Sequence, residues 1–181
     1  MQEELILLHR ARALNQEALA EIHNRYYDAI YRYISFRVNN KQMIEDLTSE
    51  VFLRFLKALR DKNAPQNTIR GWLYGAASRV VKEYYRQNKR ANHTLLHDAI
   101  PSNGHGPDKE LETKQTREKL QSIMAELTED QQNVLALRYG FEMPIREVAQ
   151  TMGKSEGSIK MLQTRAIASL SRRVAAMGAF A

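Results

Sequence analysis

A chain of 181 residues with 43% hydrophobic and 27% charged residues carries enough apolar surface for one ordinary domain or two small ones, which excludes a disordered tail. With 27 Lys+Arg against 21 Asp+Glu the net charge is +6, a basic excess that points to a polyanionic partner. The absence of cysteine excludes a disulfide framework, a thiolate nucleophile and a zinc ribbon, and it suits a reducing cytoplasm. Glu3 and Glu4 before the run Leu5–Leu8 have neither the charge nor the length of a secretory signal, and the longest uncharged stretches, such as 71–78 and 174–181, fall far short of the ~20 apolar residues that a membrane crossing needs.

The charge is unevenly spread. Residues 1–60 carry a net +1, 61–95 a net +5, 96–130 a net −4 and 131–181 a net +4. Two basic zones flank an acidic middle, which suggests two separate contacts with a long polyanion rather than one.

In chain order, Leu19, Ile22, Tyr26, Ile30 and Tyr33 recur at steps of three and four, as do Leu47, Val51, Phe55 and Leu59, and both sets predict amphipathic helices. A third helix starts near Asn67 or Thr68 and continues through Ile69, Leu73, Ala76, Val80 and Tyr84. No period-2 strand pattern occurs, so the expected fold class is all-α. Between about Ala91 and Lys114 the periodicity fails, and Pro101, Ser102, Asn103, Gly104, Gly106 and Pro107 cluster. The sequence therefore predicts two small helical domains, 1–90 and 114–178, joined by a flexible linker over 91–113. Beyond the linker, Leu120, Ile123 and Leu127 predict a short helix. Thr128 and Gln131 have capping-box spacing for a second helix through Val134 and Leu137 to Gly140. A third has Pro144 in its first turn, carries Ile145, Val148, Ala149 and Met152, and stops at Gly153. Ser155 caps a fourth, with Ile159, Leu162, Ala166 and Leu170 inward. Two short helices separated by a short glycine-containing turn are the pattern of a helix-turn-helix.

On the third helix Arg79, Lys82, Arg86 and Arg90 form a basic face beside the apolar stripe, which suits either phosphate contact or plain solvation. Trp72, Tyr74, Tyr84 and Tyr85 share that segment, and aromatics beside basic groups are what stacking on unpaired bases requires. A lone tryptophan in a small helical domain also reads as core. In the last helix the outward positions are Glu156, Gly157, Ser158, Lys160, Gln163 and Arg165, where a recognition helix reads base edges. Asp46 and Glu50, four apart beside Arg54, suit a surface ion pair or a partner contact. The five histidines lack carboxylates or cysteines at metal-ligand spacing, and no glycine-rich phosphate loop exists, so neither enzyme, metal nor cofactor is expected.

The run Asp46-Leu47-Thr48-Ser49-Glu50-Val51-Phe52-Leu53-Arg54, followed by Gly71-Trp72-Leu73-Tyr74 and Glu83-Tyr84-Tyr85-Arg86, resembles region 2 of the sigma-70 family in its extracytoplasmic-function (ECF) subgroup. Leu127-Thr128-Glu129, Val134-Leu135-Ala136-Leu137-Arg138-Tyr139, Ile145-Arg146-Glu147-Val148-Ala149, Gly153-Lys154-Ser155-Glu156-Gly157-Ser158-Ile159-Lys160 and Arg165-Ala166 resemble region 4 in family order. No counterpart of region 1.1 or region 3 is found, as expected of that subgroup. Two positions depart from the pattern: Ser49 stands where glutamine is common, and Arg79 where asparagine is usual.

The resemblance implies a protein without catalysis of its own that binds the clamp and flap regions of core RNA polymerase, melts the −10 promoter element through region 2 and reads the −35 element as duplex through region 4. Asp46, Leu47, Glu50, Phe52 and Arg54 would face the polymerase clamp. Lys62, Asn63, Gln66 and Asn67 would hold a flipped base, with Trp72, Tyr74, Arg79, Lys82 and Arg86 on the rest of the −10 strand. Lys154, Ser155, Glu156, Ser158, Lys160, Gln163 and Arg165 would meet the −35 duplex. The resemblance also implies a bacterial, cytoplasmic protein, nucleoid-associated when active, and a cognate anti-sigma factor. The acids Asp98, Asp108, Glu110 and Glu112 are expected either to occupy a positively lined polymerase channel or to act as a solvated spacer. The competing reading is a stand-alone helix-turn-helix regulator, dimeric through its N-terminal helices.

Overall fold

The computed structural model describes residues 2–61, 65, 68–94, 119–120 and 122–176. Every regular element among them is helical, as the periodicity predicts. Helices α1 (Gln2–Arg12), α2 (Gln16–Ser35), α3 (Lys41–Arg60) and α4 (Ile69–Thr94) form the N-terminal half. After helical residues at 119–120 and 122–125, the C-terminal half contains α5 (Glu129–Leu135), a π turn (Ala136–Gly140), α6 (Ile145–Met152) and α7 (Glu156–Ala176). The expected linker lies mostly outside the described residues, together with Lys62, Asn63, Gln66, Asn67 and the four acids assigned to it.

Side-chain caps sit at the starts of α2 to α5. Asn15 accepts the N–H of Ala18 at 2.9 Å and Asn40 that of Met43 at 3.0 Å, so side chains satisfy N–H groups that the first turns of α2 and α3 leave unpaired. At α4 the capping residue is Thr68, whose Oγ1 accepts the Gly71 N–H at 3.2 Å. Helix α4 runs to Thr94, past the boundary expected at residue 90, because neither glycine nor proline occurs between Gly75 and Pro101 to stop it. At α5 both halves of the predicted capping box are made, Gln131 N–H to Thr128 Oγ1 and Thr128 N–H to Gln131 Oε1.

Two details differ from expectation. The helix through Val134 ends in a π turn rather than continuing as α-helix to Gly140, and Phe141 N–H closes it on Ala136 O at 3.0 Å. Pro144 is the cap of α6 and not its first helical residue; its lack of an N–H costs nothing at either place. Gly153, at φ 63°, ends α6 in the left-handed conformation that glycine adopts without penalty.

In the N-terminal half Ile22, Ile30 and Ile34 of α2 pack with Ile44, Val51 and Phe55 of α3 and Ile69 and Leu73 of α4, all fully buried. Val134, Leu137, Met143 and Ile159 form the corresponding centre of the C-terminal half. The two centres are continuous. Tyr74 of α4 meets Tyr33 edge-on at 5.5 Å on one side and Phe141 at 6.3 Å on the other. The Arg70 guanidinium lies 3.3 Å from Glu4 and 3.0 Å from Glu147, and Arg37 donates to Asn133 Oδ1 at 3.1 Å. Gly71 also lies at this junction: a Cβ there would lie 2.7 Å from Thr68 Oγ1 and 3.4 Å from Thr151 Oγ1 of α6.

Candidate polymerase and nucleic-acid surfaces

Three surfaces lie outside the core. The first lies along α3. Asp46 is exposed and makes no ion pair among the described residues, whereas Glu50 is taken by Arg54 Nε at 2.7 Å. Arg54 also forks onto both oxygens of Glu83, at 3.2 and 2.6 Å, tying α3 to α4. Its hydrogen bonds to the two carboxylates push the guanidinium pKa up, and the same contact holds Glu83 below the usual carboxylate range. Leu47 is half-buried on the core side, and Phe52 is buried against His23 at 4.7 Å and Tyr27 at 6.4 Å. Next to Phe52, Leu53 stands 60% exposed, an apolar surface residue that the sequence reading did not select. The signal was available: Leu53 falls off the Leu47, Val51, Phe55 stripe, so burial does not account for a leucine there.

The second surface is the outer face of α4. Arg79 and Arg86 are exposed as the spacing predicts, while Lys82 reaches across to Glu129 of α5 at 2.8 Å, which raises its pKa. Both partners of that pair are well exposed, so it contributes little to stability. The aromatic residues divide. Trp72 is half-buried with its ring 5.4 Å from Phe55, which joins the stacking and core readings. Tyr74 is only 7% exposed and burial raises its pKa strongly, so in this arrangement it is a packing residue and not the exposed stacking platform expected. Its place beside the stripe, one residue after Leu73, hid this, because Phe141 of the second half supplies part of the cover. Tyr85 is exposed and its hydroxyl donates to Arg37 O, anchoring α4 to the end of α2.

The third surface is the start of α7. Ser155 Oγ accepts the Ser158 N–H at 3.2 Å, and the two hydroxyls are 2.9 Å apart, so Ser155 caps the helix. Glu156, Ser158, Lys160 and Arg165 are exposed on its outer side. Lys154 is engaged by Asp130 at 3.0 Å, and Gln163 Nε2 donates to the Tyr139 hydroxyl at 2.9 Å, so those two contribute less free donor capacity than their positions suggest. Tyr139 projects from the π turn, which no residue pattern in the sequence announced.

The model of Sigma-70 region 2 matches residues 22–91, and that of Sigma-70, region 4 matches 123–172. The chain belongs to the sigma-70 family. Among its relatives are ECF sigma factors: it is 30% identical over 168 residues to the ECF RNA polymerase sigma factor BldN of Streptomyces coelicolor, covering 92% of this chain and 64% of that protein. It is 26% identical to the ECF RNA polymerase sigma factor SigM of Bacillus subtilis, covering 81% of this chain and 88% of that one. Among solved structures it is similar to the chain described as CnrH in complex with the cytosolic domain of CnrY, with 21% identity, coverage of 98% and 99%, and a TM-score of 0.71, which supports the fold. The region 2 match takes in most of α2, all of α3 and most of α4, the region 4 match takes in α5, α6 and most of α7, and α1 precedes the region 2 match. No helix among the described residues is long and apolar enough to cross a membrane.

Proposed function

We propose that this chain is an ECF sigma factor that binds core RNA polymerase, directs it to promoters and starts transcription by melting a −10 element and reading a −35 duplex. The observation that carries the reading is the coexistence, in one chain, of the α3 edge with exposed Asp46 and Leu53, the basic α4 face with Trp72, and an exposed first turn of α7. A stand-alone operator-binding protein needs only the last of these. In this reading Asp46, Leu47, Glu50, Phe52 and Arg54 serve the polymerase clamp, with Leu53 added to them, and region 4 reaches the flap. Lys62, Asn63, Gln66, Asn67, Trp72, Arg79, Lys82 and Arg86 serve the −10 strand, and Tyr74 joins them once region 4 moves away. Region 4 offers Glu156 and Ser158 to base edges and Lys154, Lys160 and Arg165 to phosphates, a division in which phosphate contacts set affinity and base contacts set sequence. Ser155 orients that helix, and Gln163 joins the −35 contacts after leaving Tyr139. The two regions fold as separate domains joined by the 91–113 connection, and the protein works in the bacterial cytoplasm on the nucleoid, without catalysis of its own. A cognate anti-sigma factor holds it inactive.

A gel shift on duplex promoter fragments with and without core polymerase tests this. Retention only when core polymerase is present is the expected result, and tight, specific retention of duplex by the chain alone would favour the stand-alone regulator.

A further inference from the structure

Helix α1 lies outside the region 2 match, which begins at residue 22, and none of its residues figured among the candidates. It nevertheless grips the chain at two points before and at the start of α4. Arg12 Nη2 donates to the Pro65 carbonyl at 2.7 Å, across 53 residues of sequence. Glu4 Oε1 accepts the N–H groups of Ile69 and Arg70 at 2.9 and 3.2 Å, across 65 and 66 residues, and its other oxygen pairs with the Arg70 guanidinium at 3.3 Å. With Thr68 taking the Gly71 N–H, the first three amides of α4 are satisfied, two of them by a different helix. Glu4 is only 7% exposed, and a carboxylate kept from water is tolerated when it has such partners.

The grip is rigid because α1 is itself seated. Leu7, Leu8 and Ala11 are buried, and they lie between Glu4 and Arg12, which are about 12 Å apart along the helix axis. One packed element therefore fixes both Pro65 and the first turn of α4. Trp72 stands one turn further along α4, and Arg79 and Arg86 follow on the same helix.

We propose that Glu4 and Arg12 are positioning residues for promoter selectivity: α1 sets where Pro65 and the start of α4 lie, and through them the aromatic and basic side chains that choose unpaired bases. The proposal rests on the sigma-factor reading and adds a determinant outside region 2. Positioning differs from mere stabilisation in what it changes. Loss of stability lowers initiation on every template by one factor, whereas displacement of the α4 base alters the ratio between bases.

The test uses holoenzyme reconstituted from core polymerase and the full chain. Genomic fragments on which the wild-type holoenzyme initiates are mapped for melted thymines with permanganate, then re-randomised over the melted positions, and the transcripts are sequenced. Arg12→Ala and Glu4→Gln are compared with Glu3→Gln, an exposed neighbour. The expected result is a fall of about fivefold in base discrimination at one or more melted positions, the size that one hydrogen bond commands, with unchanged affinity for core polymerase. Glu3→Gln keeps the wild-type preferences. Uniform loss on all templates, or unchanged preferences in variants that fold, overturns the proposal. Should Glu4→Gln fail to fold, Arg12→Ala decides alone, since its side chain is exposed and gives up one hydrogen bond. A wild-type holoenzyme that initiates on no fragment overturns the sigma-factor reading itself and this proposal with it.

Discussion

The ion pair that joins the two halves is open to a quantitative test. Arg70 Nη2 approaches Glu147 at 3.0 and 3.3 Å, with side chains 18% and 12% exposed. Glu147→Gln preserves shape and leaves Arg70 its pair with Glu4, so the 3–5 kcal/mol that follows from stranding a buried charge is not incurred. What is lost is the difference between a charge-assisted and a neutral hydrogen bond, about 1–1.5 kcal/mol. Removing a negative charge from the first turn of α6 costs a further ~0.3–1 kcal/mol, but it does so whether the halves touch or not. An equilibrium between touching and separated halves should therefore shift about tenfold toward separation. The cysteine-free sequence makes the measurement clean: Ser49→Cys and Ala168→Cys, both exposed, accept a dye pair for single-molecule energy transfer. Glu142→Gln serves as control, because Arg70 meets the backbone carbonyl of that residue at 3.3 Å and not its carboxylate. A distance distribution that Glu147→Gln leaves unchanged, or that Glu142→Gln shifts equally, would refute the reasoning.

Gly153→Ala forces a side chain into the left-handed region and should destabilise the C-terminal half by about 1 kcal/mol, read as a lower melting temperature. Lys160→Ala and Arg165→Ala should each weaken −35 duplex binding by the holoenzyme and reduce the slope of log affinity against log salt by ~0.9, whereas Ser158→Ala should alter base preference at an unchanged slope. Acid should weaken the α3–α4 tie. Glu83 titrates below its ordinary value of about 4.5 because of Arg54, so the tie contributes its full stability above that value and loses it as pH falls through the lower folded value. The groups are more than one-third exposed at Glu83, which limits the effect to under about 1 kcal/mol, and Arg54→Met should abolish that part of the pH dependence of melting.

Helix periodicity and caps were legible because they are local: the stripes of α2 to α4, the capping box at Thr128 and the stop at Gly153 each rest on residues within one or two turns. The motifs for both regions were legible for the same reason. Contacts made across tens of residues were not. Nothing near Glu4 in sequence announces that it caps α4, and Tyr74 reads as an exposed aromatic until Phe141 is placed against it. No residue type in 136–140 marks the π turn in advance, and Phe141 and Met143 just beyond it are buried in the core. Lys82 and Lys154 show the limit of counting charge: both add to the basic zones and to the expected DNA contacts, and each is held by an acid of α5, Glu129 and Asp130.

The central claim is that this chain gives core RNA polymerase its promoter specificity. Multi-round transcription of sheared genomic DNA by core polymerase, with and without the full chain, followed by sequencing of RNA 5′ ends, tests it most directly. The account predicts that the chain creates discrete start sites sharing a duplex element upstream of a melted one, and that Asp46→Lys with Leu53→Asp removes them by releasing the chain from core polymerase. Start sites identical with and without the chain would contradict it.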